Sequence, residues 1–318
     1  MVTALLVSAL SCLASALATD WHLLLFRALT GLALSGLATV GTTYLAEEIH
    51  PNRLGFAMGL YVAGNAIGGM SGRLIASVVV DFVSWRTTLG ILGVIALLVT
   101  LLFWYYLPPS RNFHPHRLNL RSLLLGYLVH FHDRGLPLLF MEGFLLMDSF
   151  VTLFNYIGYR LLAPPYQLSQ TWVGCISIVY LSGIYSSTFI GSLSERIGRK
   201  RLLAAMILVM LAGVLITLLP TQWLIIPGIL GLTFGFFGAH SIASSWVSKR
   251  AKVARAQAPS LYLFFYYVGS SIASTLSDYF WHLWCWPGVA LFIVYLLVVG
   301  QIAAWHLSLV PPRHRMTA

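Results

Sequence analysis

The sequence predicts an all-α, polytopic membrane protein with about ten transmembrane helices. Three observations carry that reading. Hydrophobic residues make up 58% of the 318-residue chain and charged residues 9%, whereas an ordinary soluble domain is about one quarter charged. So few charges cannot cover the surface of a water-soluble protein of this size. Apolar runs of roughly 20 residues, long enough to cross a ~30 Å hydrocarbon core, recur along the chain. Basic residues fall in alternate connections between them.

The runs lie near 1–18, 22–46, 55–80, 87–107, 137–159, 171–190, 202–220, 223–246, 258–277 and 287–307. An even number of spans puts both termini on one side. Of nineteen Lys and Arg, fifteen occupy one set of connections: Arg53; Arg111, Arg117, Arg121 and Arg134; Arg196, Arg199, Lys200 and Arg201; Lys249, Arg250, Lys252 and Arg255; Arg313 and Arg315. Arg86 and Arg160 stand in the opposite set. The positive-inside rule makes the first set, and both termini, cytoplasmic. Topology and anionic lipid thereby account for the net charge of +10, and nucleic acid is excluded as a partner.

The segment 108–136 divides the chain into a four-span part, 1–107, and a six-span part with a basic tail, 137–318. It opens with Pro108-Pro109 and carries Leu118, Leu120, Leu123–Leu125 and Leu128, an amphipathic pattern suited to the inner membrane surface. Cys12, Cys175 and Cys285 are odd in number and lie in or beside apolar runs, so no disulfide framework is expected. Ala16-Leu17-Ala18 has the form of a signal-peptidase site, but no positive residue precedes the run. A retained first helix is expected.

Ionisable groups inside spans are costly, and each one raises a functional hypothesis beside the plainer reading of a structural hydrogen bond. Arg27 sits about two turns into the second run, followed by Gly31, Gly36 and Gly41, which permit close helix packing. Arg73 follows Gly72 and suits a structural pairing. In the fifth run Asp148, Thr152, Asn155 and Tyr159 share one helix face, and Glu142 lies roughly 120° round from Asp148. Such a stripe must face protein or water, because lipid cannot satisfy it. Either carboxyl is a proton-binding candidate if buried alone, or a structural partner if buried against Arg.

Ser177, Tyr180 and Ser187 on the sixth run, Ser260, Tyr267, Ser271 and Ser274 on the ninth, and His240 with Ser244 on the eighth add polar faces. Together they suggest a shared aqueous cavity, to which Thr152, Asn155, Tyr156, His240 and Tyr267 are assigned. Gly69-Met70-Ser71-Gly72 has the short form of an intramembrane serine-protease nucleophile. Arg73 crowds that serine, the span number exceeds that plan, and no enzyme activity is expected.

Gly191-Ser192-Leu193-Ser194-Glu195-Arg196-Ile197-Gly198-Arg199-Lys200 resembles the cytoplasmic G-x-L-a-D-r-x-G-r-K loop of the major facilitator superfamily, with Glu195 in place of Asp. Arg27 with Gly31 is similar to that family's R-x-x-x-G motif. Gly64-Asn65-Ala66-Ile67-Gly68-Gly69 resembles its G-P-x-x-G-G antiporter motif, with Asn65 where proline is typical. Trp85-Arg86 and Ala46-Glu47-Glu48…Arg53 also stand where family members carry similar residues.

The resemblance implies a major-facilitator-type helix bundle arranged four plus six. It implies proton-coupled efflux of a small organic molecule by alternating access, without a cofactor or metal, by a monomer in a bacterial inner membrane. Glu142, Asp148 and Arg27 are then the proton-coupling candidates. The loop containing Gly191, Glu195, Arg196, Gly198, Arg199 and Lys200 becomes the conformational switch. The family has twelve spans, and Met1 aligns with the start of its third. The alternative expectation is an N-terminally truncated, non-transporting membrane fragment or decayed gene product.

Overall fold

A computed structural model describes residues 1–110, 120–254 and 257–311. Arg111, Arg117, Leu118, Arg255, Arg313 and Arg315 therefore lie outside the described residues, as do the side chains of Glu47, Arg53, Arg121 and Ser274. Among the described residues the secondary structure is helical throughout. The helices are α1 (Val2–Leu17), α2 (Asp20–Ser35), α3 (Leu37–Glu48), α4 (Pro51–Phe82), α5 (Trp85–Tyr106), α6 (Leu120–Leu128), α7 (Leu136–Leu162), α8 (Gln170–Cys175), α9 (Tyr180–Ile197), α10 (Arg199–Ile216), α11 (Gln222–Arg250) and α12 (Gln257–Leu309).

These helices underlie the apolar runs, with three local breaks. Gly36 separates α2 from α3. A 3-10 turn, Ile176–Val179, separates α8 from α9. Trp284 and Cys285 leave helical geometry inside α12, just before Pro287, so α12 is two helices meeting at a kink. By length and composition, five described helical stretches could each cross a bilayer: Trp85–Tyr106, Leu136–Leu162, Gln170–Ile197, Gln222–Arg250 and Gln257–Leu309.

The chain divides into two compact units, one of residues 1–116 with 169–177 and one of 117–168 with 178–318. In the first, α1 packs on α5 and α2, and α4 packs on α8. The buried positions of α1 and α5 are small: Ala9, Ser11, Ser15, Thr88, Gly93 and Thr100. That is the composition expected where apolar side chains gain little by leaving lipid and backbones must approach closely instead. The short helix α8 is fastened to α4 by Asp81. Its carboxylate accepts from the backbone N–H of Gln170 (3.0 Å) and Thr171 (2.7 Å) and from the Thr171 hydroxyl (2.5 Å). Those bonds, the Thr171 ones foremost, hold the Asp81 carboxyl below its usual value.

In the second unit α7 is the central element, packed on α12 and α11, with α10 on α11 and α9 on α11 around it. Asp133 starts α7 by accepting from the N–H groups of Gly135 (2.8 Å) and Leu136 (2.9 Å), which would otherwise be unpaired at a helix N-terminus. A Cβ on Gly135 would lie 2.5 Å from the Arg250 Nε that binds the same carboxylate, so only glycine admits that pairing. Between α10 and α11 the backbones touch: a Cβ on Gly213 would lie 2.5 Å from Leu232 N, and one on Gly235 would lie 2.6 Å from Met206 O.

Candidate functional site

Glu142, Asp148, Ser149 and Thr152 are buried on α7 in the second unit. Glu142 is fully buried, and among the described residues neither carboxylate oxygen has a hydrogen-bond partner. Two glycines make its slot. Gly300 of α12 would bring a Cβ within 3.4 Å of Glu142 Oε2, and Gly143 beside it lets the Tyr262 ring lie against α7, where a Cβ would meet Cε2 at 2.7 Å. Tyr262 is itself buried. The side-chain oxygen of Gln301, next to Gly300, is likewise buried without a partner.

Six residues further along α7, Asp148 is also buried, and Thr152 donates to its Oδ1 at a long 3.5 Å. Thr152 shares a 2.9 Å hydrogen bond with Ser277 of α12. The stripe that holds these residues then emerges: Asn155 is exposed and Tyr159 is 59% exposed. Tyr156 is buried, and its ring lies obliquely against Trp281 at 5.8 Å between centroids.

His240 on α11 is half-buried, and its Nδ1 shares a 2.9 Å hydrogen bond with the Tyr262 hydroxyl. Phe236 and Tyr266 flank the ring at 6.0 and 4.9 Å. Glu142, His240 and the Asp148–Thr152 pair thus share one unit. Arg27, exposed on α2, and Gly64, Asn65, Gly68 and Gly69, exposed on α4, belong to the other. Gly31 and Gly36 face open space, and only Gly41 of the three glycines after Arg27 meets a neighbour, the Tyr61 ring. Asn65 lines a cavity of about 420 Å³ with Tyr44, Tyr61 and Phe103.

In the Gly191–Lys200 loop, Glu195 pairs with Lys249 of α11 and, at 3.7 Å, with Arg199. The Lys249 bond and charge hold the Glu195 carboxyl below its ordinary value. Gly198 ends α9 and precedes α10 with φ of +103°, a conformation that favours glycine. Lys200 donates to the carbonyls of Ser308 and Val310, and Arg196 is exposed. Gly191 sits where a Cβ would lie 2.9 Å from Ser241 Oγ, so α9 and α11 are close there.

Sequence reasoning did not single out Tyr262, Gly269 and Ser277, which are buried on the ninth run, whereas its candidates Tyr267 and Ser271 are exposed. The signal was available, because 262, 266, 269 and 277 recur at helical spacing. An isolated tyrosine in an apolar run, however, reads as core unless its partner is known. On the sixth run Ser177 and Tyr180 are buried, as is Ser186, which donates to Phe234 O at 2.6 Å, whereas Ser187 is half-buried.

An all-helical, apolar chain with one buried carboxyl, Glu142, that lacks a hydrogen-bond partner among the described residues, and with a loop of the form Gly191–Lys200, has the features of a transporter-type membrane protein. The chain belongs to the Major Facilitator Superfamily, whose family model matches residues 1–274. It is 53% identical over 308 residues to the inner membrane transport protein YnfM of Escherichia coli K12, covering 96% of this chain and 74% of that one. It is 45% identical over 309 residues to the uncharacterized MFS-type transporter YybF of Bacillus subtilis 168, covering 97% and 76%.

Among solved structures, the nucleoside transporter NupG superposes with a TM-score of 0.76 at 17% identity over 96% of this chain and 82% of that one. A bacterial homolog of the human lysosomal transporter Spinster, inward-facing and unoccupied, gives 0.73 at 13% over 97% and 81%. At those identities the likeness is one of fold.

Proposed function

We propose that this protein is a secondary transporter that exports a small organic molecule from a bacterium across the inner membrane by proton-coupled alternating access. In this reading it is a monomer of ten spans with cytoplasmic termini, a four-span part (1–107), a linker (108–136) and a six-span part (137–318). The observation that carries the reading is Glu142: a carboxyl with no exposure and no hydrogen-bond donor, in a chain of a transporter family. Burying it as a bare anion would cost several kcal/mol, so it is neutral in this state. A second state that hydrates it would release the proton. Asp148 is the second proton candidate, and Arg27 is a further proton-coupling candidate. Asn155, Tyr156, Thr152, His240 and Tyr267 contact substrate, and the Gly191–Lys200 loop governs the conformational change.

The test is flux in proteoliposomes holding the 318-residue chain and a pH-sensitive dye. A pH gradient is imposed and a panel of labelled sugars and aromatic amphiphiles is offered. Gradient-driven movement of at least one compound is expected, lost in Glu142→Gln. Equal flux with and without the gradient would remove proton coupling. No flux of any compound in the wild type would remove the transport reading.

A further inference from the structure

We propose that Tyr262 is a proton relay between Glu142 and His240. The proposal rests on the reading of Glu142 as a proton site and adds the path by which that site exchanges. Glu142 has no accessible surface, so its proton cannot pass directly to water in this state. Glu142 Oε2 lies against Gly300 in the second helix of α12, next to Gln301, and the Tyr262 ring from the first helix packs on Gly143, the residue after Glu142. Tyr262 is the member of that group whose hydroxyl is bonded onward, to His240 Nδ1 at 2.9 Å. His240 is half-buried, and its ring is held between Phe236, Tyr262 and Tyr266. Tyr266 faces both His240 and Tyr262, and Asp148 is engaged by Thr152 further along α7. Gly143 lets the phenol pack on the α7 backbone one residue from Glu142: a Cβ there would meet the Tyr262 ring at 2.7 Å.

The step balances as follows. A rotation of Glu142 closes the open link to Tyr262 and places its carboxyl O–H on the phenol oxygen. The carboxyl proton moves to Tyr262 Oη as the phenol proton moves to His240 Nδ1. Glu142 is left as carboxylate, Tyr262 neutral and His240 as imidazolium. His240, which is half-buried, then passes its Nε2 proton to a water molecule at its accessible edge, forming hydronium, and stands as the other neutral tautomer. The reverse sequence loads the site. No oxidant, metal or further reactant is needed.

The test uses infrared spectroscopy of the purified 318-residue chain in lipid nanodiscs, with deuterium oxide as the probe and no substrate. The C=O stretch of a protonated carboxyl that disappears in Glu142→Gln is assigned to Glu142. In wild type it shifts on transfer to deuterium oxide as the proton exchanges. Tyr262→Phe keeps the ring and is expected to slow that shift by about 10²-fold. His240→Phe, which keeps the stack on Phe236, is expected to slow it as well. Wild-type exchange rates in either folded variant would overturn the relay. Absence of a Glu142 carboxyl band would overturn the proton site itself. Loss of flux with normal exchange in wild type would instead count against the transport reading alone, so the two failures are distinguishable.

Discussion

Asp133 and Arg250 stand 117 residues apart in sequence and meet at 2.5 Å, Oδ1 to Nε, with both side chains buried. The same carboxylate caps α7, and Arg250 also reaches Pro311 O at 3.4 Å. One buried pair therefore ties the start of α7 to the end of α11 and to the chain after α12. Removing one partner leaves the other buried without its counter-charge. Asp133→Ala is expected to destabilise the protein by about 3–5 kcal/mol, read as a lower thermal midpoint in detergent.

The same pair sets an acid limit. Burial alone would raise the Asp133 carboxyl, but the Arg250 bond and charge and the two helix amides hold it below its ordinary value of 3.8. A carboxyl lowered in the folded state adds stability that is fully present above the unfolded value. That stability is lost as pH falls through the lower folded one. The stability gap between wild type and Asp133→Ala should be widest above about pH 5 and close progressively below about pH 4. A gap that widened in acid would contradict the assignment.

The α10–α11 seam should tolerate no side chain at Gly213, where the obstacle is backbone rather than a flexible tip. Gly213→Val is expected to cost about 1–3 kcal/mol or more, since two main chains must separate. Gly64→Ala on α4, where a Cβ meets nothing within 4 Å, is the control and should leave the midpoint unchanged.

Arg160 at the end of α7 donates to the carbonyls of Thr217 and Leu219 and to the Tyr166 hydroxyl, and its guanidinium lies 5.5 Å from the Trp286 ring centroid. Trp286 bonds the same Thr217 carbonyl at 3.2 Å. Arg160→Ala is expected to cost about 1.5–3 kcal/mol, measured by urea or thermal unfolding. Arg160→Lys should recover only part of that loss, because an ammonium cannot span three acceptors with a planar fork.

Glu195 gives the opposite expectation. Its pairs with Lys249 and Arg199 are exposed, and exposed pairs add little to stability. Glu195→Gln should leave the thermal midpoint unmoved while slowing gradient-driven flux, if the loop governs the conformational change. An equal flux would remove that role.

The sequence by itself determined the solvent of this protein. Fifty-eight per cent apolar composition with alternating basic connections admits helices in lipid and little else. The helix pattern was equally legible, because apolar runs of span length are set by bilayer thickness and need no tertiary knowledge. Glu142 and Asp148 were legible as candidates for the same reason: a carboxyl in an apolar run is conspicuous before any neighbour is known.

Which of them lacks a partner was decided only by tertiary structure. Asp148 receives Thr152, and through it Ser277 from 125 residues away, whereas Glu142 faces the bare backbone at Gly300. Tyr262 and Arg250 acquired their roles in the same way. A side chain's hydrogen-bond partner across a bundle depends on helix rotation, and a rotation of 100° per residue moves a stripe from the core to the exposed face. Periodicity marks faces that can be polar, but only packing chooses which face is buried, because the neighbouring helix that satisfies or abandons a group is distant in sequence.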